Sequence, residues 1–160
     1  MKEAGLSPKA ENYTNWENTG LDGHIGGHYL SAVGSHVSTV PNHQTGRITP
    51  FETRGTVAMA GSFGYELDLN LLSDGEKQEV AEQIRQFKTY GPLIHNGKYY
   101  RLTNPMAEDA ALWEFAAQDG SEVLVQGMLF HAEANVLRRT VQLRGLDAEK
   151  RYRQSIDRKS

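Results

Sequence analysis

Four of the six histidines, His24, His28, His36 and His43, fall within the first 43 of 160 residues. His24 and His28 stand four positions apart, so on a helix their imidazoles share one face, the arrangement that metal ligation uses. No carboxylate occupies the matching turn, and Asp22 precedes the pair at an angle the sequence leaves open. The expectation is therefore polar or substrate contact, with no metal and no cofactor. The catalytic residues stay unassigned, with His24, His28, Asp22 and Glu52 as candidates. His24, His28, His36 and His43, with Trp16 as a stacking platform, form the candidate substrate-binding set. Tyr29 and Trp113 are further platforms for a sugar ring.

Other chemistries find less support. Cleavage between two carboxyl groups needs them roughly 5 to 10 Å apart across one bond. Glu76, Glu79 and Glu82 read instead as the solvated side of a helix, and Asp119 and Asp147 as turn residues. Glu52, Glu66 and Asp68 lie among apolar neighbours, although an ion pair with Arg47 or Arg54 accounts for Glu52 equally well. Ser35 with His36, or Ser38 with His43, can be drawn as nucleophile and base, but such pairs arise by chance in so polar a stretch. Neither a Gly-x-Ser-x-Gly elbow nor a phosphate-cradling loop is present.

Residues 34–55, GSHVSTVPNHQTGRITPFETRG, show no helical or strand periodicity and combine Pro41 and Gly46 breaks with many planar hydrogen-bonding side chains. They read as one shaped loop. Before it, residues 1–23 predict little regular structure, and His24–Val33 a short helix. Towards its end, Thr49 reads as an N-cap with Pro50 at the first helical position, giving a helix to about Ala60. Ser73 and Glu76 form a capping-box pair, and Val80, Ile84 and Phe87 recur on one face, predicting a helix over Asp74–Tyr90. Gly91-Pro92 should interrupt it, leaving a short turn at Leu93-Ile94 and a reversal at Asn96-Gly97.

From residue 98 the period changes to two. Lys98–Leu102, Ala110–Ala117, Glu122–Phe130, Leu137–Arg144 and Arg151–Gln154 read as antiparallel strands, with residues 118–121 as a hairpin connection. The most continuous apolar run, Glu122–Phe130, should be central. The predicted fold class is α+β: an irregular and helical N-terminal half followed by a partial antiparallel β-sandwich.

Cysteine is absent, which excludes disulfides, thiolate nucleophiles and Cys-ligated zinc. A formal net charge of −3, with basic residues concentrated only in the tail at Lys150, Arg151, Arg153, Arg158 and Lys159, gives no footprint for nucleic acid. The N-terminus lacks the apolar run of a signal peptide, and no stretch is long and apolar enough to span a membrane. A cytoplasmic location is expected.

From about Val33 to Arg153 the chain resembles the C-terminal part of α-galactosidases of glycoside hydrolase family 36. The resemblance is carried by residues 34–55 above, by FGYELDLNLLSDGEKQEVAEQIRQFK at 63–88, by the YYRL and ALWEF strands, and by LRGLDAEKRYR at 143–153. It implies the end of a (β/α)8 barrel, its last helices, and then an antiparallel sandwich. Residues 1–32, which contain GHIGGHYLSA, instead resemble the N-terminal region of β-L-arabinofuranosidases of glycoside hydrolase family 127. On these resemblances the chain divides into a family 127-like fragment at 1–32, a barrel-end helical remnant at 33–96, a truncated sandwich at 97–154 and a tail at 155–160.

The family 36 resemblance places the nucleophilic and acid/base aspartates upstream of the represented region. The catalytic cysteine and general-acid glutamate of family 127 also have no counterpart. The expected function is a truncated, chimeric, glycoside-hydrolase-related protein without α-galactosidase activity. The alternatives are a hydrolase with a newly assembled histidine and carboxylate site, and a carbohydrate-binding or assembly module. An incomplete sandwich leaves an open edge, so a homo-oligomer is expected.

Overall fold

A computed structural model describes residues 34–43, 45–104, 107–129 and 139–156. The fold is α+β, with a two-stranded parallel sheet and two helices before residue 98 and a three-stranded antiparallel sheet after it. The helix expected over His24–Val33 lies outside the described residues.

The stretch 34–55 is not a single loop. Its first five residues form β1 (Gly34–Ser38), which runs parallel to β2 (Ser62–Glu66), and helix α1 (Phe51–Ala58) connects the two. In β1 only Ser35 and Val37 are buried, and neither is large. So short an alternation, with a serine on the inward side, leaves almost no period-two signal. Phe63 and Tyr65 alternate more visibly with Ser62, Gly64 and Glu66 in β2.

Helix α1 starts one residue later than expected. Pro50 is its N-cap and no side chain caps it, while the Thr49 carbonyl accepts from Arg54 Nε at 3.0 Å. The inward face of α1 holds Arg54, Gly55, Val57 and Ala58.

Helix α2 (Asp74–Asn96) carries the predicted capping box: Ser73 N donates to Glu76 Oε2 at 2.9 Å, and Glu76 N donates to Ser73 Oγ at 3.3 Å. Gly91-Pro92 does not interrupt it. Proline inside a helix costs about 3 kcal/mol, but ending the helix at Tyr90 would forfeit the burial of Ile94, which is fully enclosed, and of Leu93 beside it. Burying such side chains contributes about 1.5–3 kcal/mol each, enough to offset the proline. The buried face is Gln83, Gly91 and Ile94, with Phe87 packed against the core, whereas Ile84 is exposed. Gly97 ends the helix, and a Cβ there would stand 2.4 Å from the Leu93 carbonyl oxygen.

The antiparallel sheet runs β3 (Lys98–Arg101), β4 (Ala110–Ala116), β5 (Val123–Leu129), so β4 is central and the apolar run of β5 lies beside it. Ala111, Trp113 and Phe115 of β4 join Val57, Ala60, Ile94 and Tyr99 in the core under the helices. Alanines at 110, 111 and 116 let β4 be covered on both faces without a conspicuous hydropathy peak.

The other face of β4 is crossed by residues 139–147. Neither the described part of Leu137–Arg144 nor Arg151–Gln154 is a strand. Their alternating polarity suggested pairing, but side chains satisfy the backbone instead: Arg144 N–H bonds the Glu114 carboxylate and Asp147 N–H the Tyr152 hydroxyl. The predicted hairpin at 118–121 is present, with Gly120 at φ +67° and Ser121 N donating to Asp119 Oδ1 at 3.0 Å.

Candidate functional site

Side-chain alternation gives the β1–β2 sheet two unlike faces. Ser35, Val37, Phe63 and Tyr65 occupy one. There Phe63 packs on Phe87 with ring centroids 5.1 Å apart, and Tyr65 stacks on Phe51 at 6.2 Å. His36, Ser38, Ser62, Gly64 and Glu66 occupy the other. His36 Nε2 pairs with Glu66 Oε2, and their side chains are 40% and 72% exposed. Ser38 stands opposite Glu66 in the strand register, and its Oγ is enclosed with no hydrogen-bond partner among the described residues. Ser38 and Glu66 are the last residues of the two parallel strands, the end at which α/β folds place ligands, and His36 reaches Glu66 from the middle of β1. The exposed imidazole and carboxylate there supply the donor and acceptors that a hydroxyl-rich ligand needs.

Residues 39–43 and 45–49 form a rim that continues from the C-terminal end of β1. Asn42 Oδ1 accepts from Thr45 N at 3.0 Å, Gly46 N donates to the Asn42 carbonyl at 2.7 Å, and Gly46 takes φ +67°. The Val40–Pro41 peptide is cis. Arg54 donates to the carbonyls of Ser38 and Thr49, and its guanidinium lies 4.8 Å from the Phe51 ring centroid. One buried guanidinium thus holds both ends of the rim, which explains a charged residue on the inward face of α1. His43 is exposed on the rim.

Of the predicted site residues, His36 and His43 therefore belong to this region, whereas Trp16, Asp22, His24 and His28 lie outside the described residues. Glu52 is exposed in the first turn of α1, a position that favours an acidic side chain through the helix dipole. Asp68 caps the short 3-10 turn Leu69–Leu71; accepting from Asn70 N–H and its side chain holds the carboxyl below its ordinary range. Trp113 cannot be a sugar platform, because it is fully buried and its indole N–H donates to Gln126 Oε1 at 3.2 Å.

Two features escaped the sequence reading. Gln83 is buried between α1 and β2: its Oε1 accepts from the Tyr65 hydroxyl at 2.8 Å, and its Nε2 donates to Glu79 Oε1 at 3.2 Å. Burial of the Tyr65 phenol, with the Glu79 charge adding to it, raises its pKa. The second is Glu114, fully enclosed in β4, whose pKa burial pushes up to about 7 against the lowering effects of the Arg144 N–H and charge. Its signal was a lone acid inside the apolar ALWEF run. Among the described residues no helix is long and apolar enough to cross a membrane, and no cluster of three potential metal ligands occurs.

Residues 28–97 match the Melibiase family model, and residues 110–160 match the model of the glycosyl hydrolase family 36 C-terminal domain. The matched residues belong to glycosyl hydrolase family 36. Curated relatives include the bifunctional α-galactosidase/sucrose kinase AgaSK of Mediterraneibacter gnavus, 50% identical over 123 residues, covering 77% of this chain and 13% of that protein. α-Galactosidase AgaA of Geobacillus stearothermophilus is 45% identical over 123 residues, covering 77% of this chain and 17% of that protein. The solved galactosidase domain of AgaSK superposes with a TM-score of 0.71 at 51% identity, over 74% of this chain and 16% of that one. A variant of AgaA in complex with 1-deoxygalactonojirimycin gives 0.72 at 45% identity, over 75% and 17%. The chain thus spans between about one-eighth and one-sixth of the length of these relatives. Both family matches respect the change of architecture: the first covers β1 to α2, the second β4 onward.

Proposed function

We propose that this family 36 segment is the barrel-end and sandwich-start part of an α-galactosidase, and that the 160-residue chain by itself binds carbohydrate weakly without hydrolysing α-galactosides. The observation that carries this reading is the open polar face of β1–β2, bearing the exposed side chains of His36 and Glu66. Two parallel strands make one side of a cleft, whereas a (β/α)8 active site draws its catalytic groups from the ends of several strands. Incubation of the chain with an aryl α-galactoside tests the catalytic half, and an NMR titration with galactose or raffinose the binding half. Turnover abolished by His36→Ala, Glu66→Gln, His24→Ala or His28→Ala would establish instead a hydrolase with a newly assembled site. Turnover lost only on adding chelator would identify a metal. No turnover and no shift at any concentration would reject carbohydrate binding.

The family 36 matches begin at residue 28. The first of them takes in residues 28–32, so it moves the boundary of the N-terminal fragment back to about residue 27; the separate, family 127-like origin proposed for the residues before it rests on the sequence resemblance alone. Deletion of residues 1–27 should then leave the melting temperature of the remainder within a few degrees, and loss of folding would reject that independence. We further propose that the chain self-associates through the sandwich sheet, on whose outer face Val125 and Leu129 are exposed. Light scattering should report a dimer that Leu129→Lys dissociates, and a wild-type monomer would remove the proposal.

A further inference from the structure

The segment from Arg139 to Tyr152 lies as a strap across the outer face of the antiparallel sheet, held at three places. At its start, Arg139 pairs with Glu108, 3.2 Å away, and with Asp109, all partly exposed. At its far end, the Tyr152 hydroxyl donates to the Gly120 carbonyl at 2.6 Å and accepts from Asp147 N–H at 2.8 Å. In the middle, Arg144 N–H donates to both oxygens of Glu114, at 2.9 and 3.2 Å. Gly145 follows at φ +74°, and a Cβ there would stand 2.7 Å from the Ala116 Cβ and 3.3 Å from the Tyr100 ring. The backbone of the strap therefore rests directly on the sheet.

The outer fastenings are surface contacts of the kind worth little individually. The middle one is different in kind. Glu114 is fully enclosed at the centre of the central strand, and among the described residues the Arg144 N–H is its only hydrogen-bond donor. A buried carboxylate is comfortable with two or three donors, and with one it is under-satisfied when ionised. Few charges face it. Its cross-strand neighbours are Tyr100 on β3 and Val125 on β5, and the strap contributes Arg144, the only one of these carrying a charge at neutral pH.

We propose that Glu114 is a proton-controlled latch: with its carboxyl protonated the strap stays docked on the sheet, and ionisation releases the strap locally while the core stays folded. Lifting the strap exposes Glu114 to water, where its carboxyl returns to an ordinary pKa near 4.5. The docked form holds that proton up to about pH 7. Docking is thus strongest below the lower value, weakens as pH rises between the two, and is constant above the upper one. The interval of 7 − 4.5 = 2.5 pH units sets a ceiling of about 300-fold on the rise in the strap's opening equilibrium.

Amide hydrogen exchange on the intact chain from pH 5 to pH 8 tests this, with each rate divided by the intrinsic exchange rate at that pH. Protection of the Arg144 amide should fall more than tenfold across the range, while the amides of Trp113 and Phe115 in β4 stay unchanged. In Glu114→Gln the Arg144 protection should no longer depend on pH. A flat wild-type profile, an equal slope in Glu114→Gln, or Arg144 and Phe115 falling together would each overturn the latch. Should Glu114→Gln fail to fold, a carboxyl-carbon titration of wild type decides: a Glu114 midpoint below pH 5 refutes the proposal, and one near 7 supports it.

Discussion

A methyl group added at Gly55 should reverse its effect on stability according to what stands at position 83. A Cβ on Gly55 would lie 2.3 Å from Gln83 Cδ, 2.4 Å from Nε2 and 2.5 Å from Oε1, all well inside contact distance. In Gly55→Ala the Gln83 side chain must therefore leave its slot. It gives up the Tyr65 hydroxyl, 2.8 Å away, and the weaker contacts to Glu79 and the Phe51 carbonyl at 3.2 and 3.4 Å. Stranding one enclosed polar partner costs about 1–3 kcal/mol. Replacing glycine by alanine inside a helix returns about 1 kcal/mol. The net expectation is a loss of up to about 2 kcal/mol.

In a Gln83→Ala background the obstacle is gone, the polar network is already broken, and only the helical gain remains. Gly55→Ala should then stabilise by about 1 kcal/mol, so the two sites couple by roughly 1–3 kcal/mol, as contacting residues in one network do. Urea unfolding of the four proteins, followed by far-UV circular dichroism, measures the cycle. Stabilisation by Gly55→Ala in wild type, or an equal effect in both backgrounds, would refute the reasoning and show that Gln83 has another rotamer to occupy.

Loss of the capping box in Ser73→Ala should lower stability by about 1 kcal/mol in thermal unfolding, and an unchanged melting temperature would show the first turn of α2 to be held by packing alone. Arg54→Lys keeps the charge but replaces a planar fork by a point donor that cannot hold both the Ser38 and Thr49 carbonyls. We expect faster amide exchange at Asn42 and Gly46 in that variant, together with a destabilisation of about 1–3 kcal/mol; unchanged exchange would assign the rim's order to its own turn. In Trp16→Phe the remaining tryptophan is Trp113, whose fluorescence should resist acrylamide quenching and ignore added sugar. Strong quenching would contradict its burial.

The helix with the strongest local signals, α2, was legible because its N-terminus is written in adjacent residues, Ser73 and Glu76, that bond each other. Its C-terminus was not, since the local cost of Pro92 is outweighed only by burial of Ile94 against strands far along the chain. Strand β1 was hidden for a related reason: Ser35 and Val37 are too small to mark a face, and their partner strand begins 24 residues after β1 ends. The centrality of β4 was misjudged because continuous hydropathy follows one strand at a time, whereas position in a sheet depends on what covers each face.

The site divides the same way. His36 and His43 stood out by type, and Arg54 by its place in a polar stretch. That His36 would meet Glu66 rather than Glu52, and that Arg54 would hold the ends of the rim, required the parallel pairing of β1 with β2. By itself the sequence determined the class, the helix start, the change of period near residue 98 and the family resemblance, because each resides in neighbouring residues or in a pattern carried along the chain. Tertiary structure alone decided which carboxylates are exposed and which enclosed. The ionisation of Glu114 depends on water being excluded by neighbouring strands and by the strap, whose Arg144 lies 30 positions along the chain, and no local pattern encodes that exclusion.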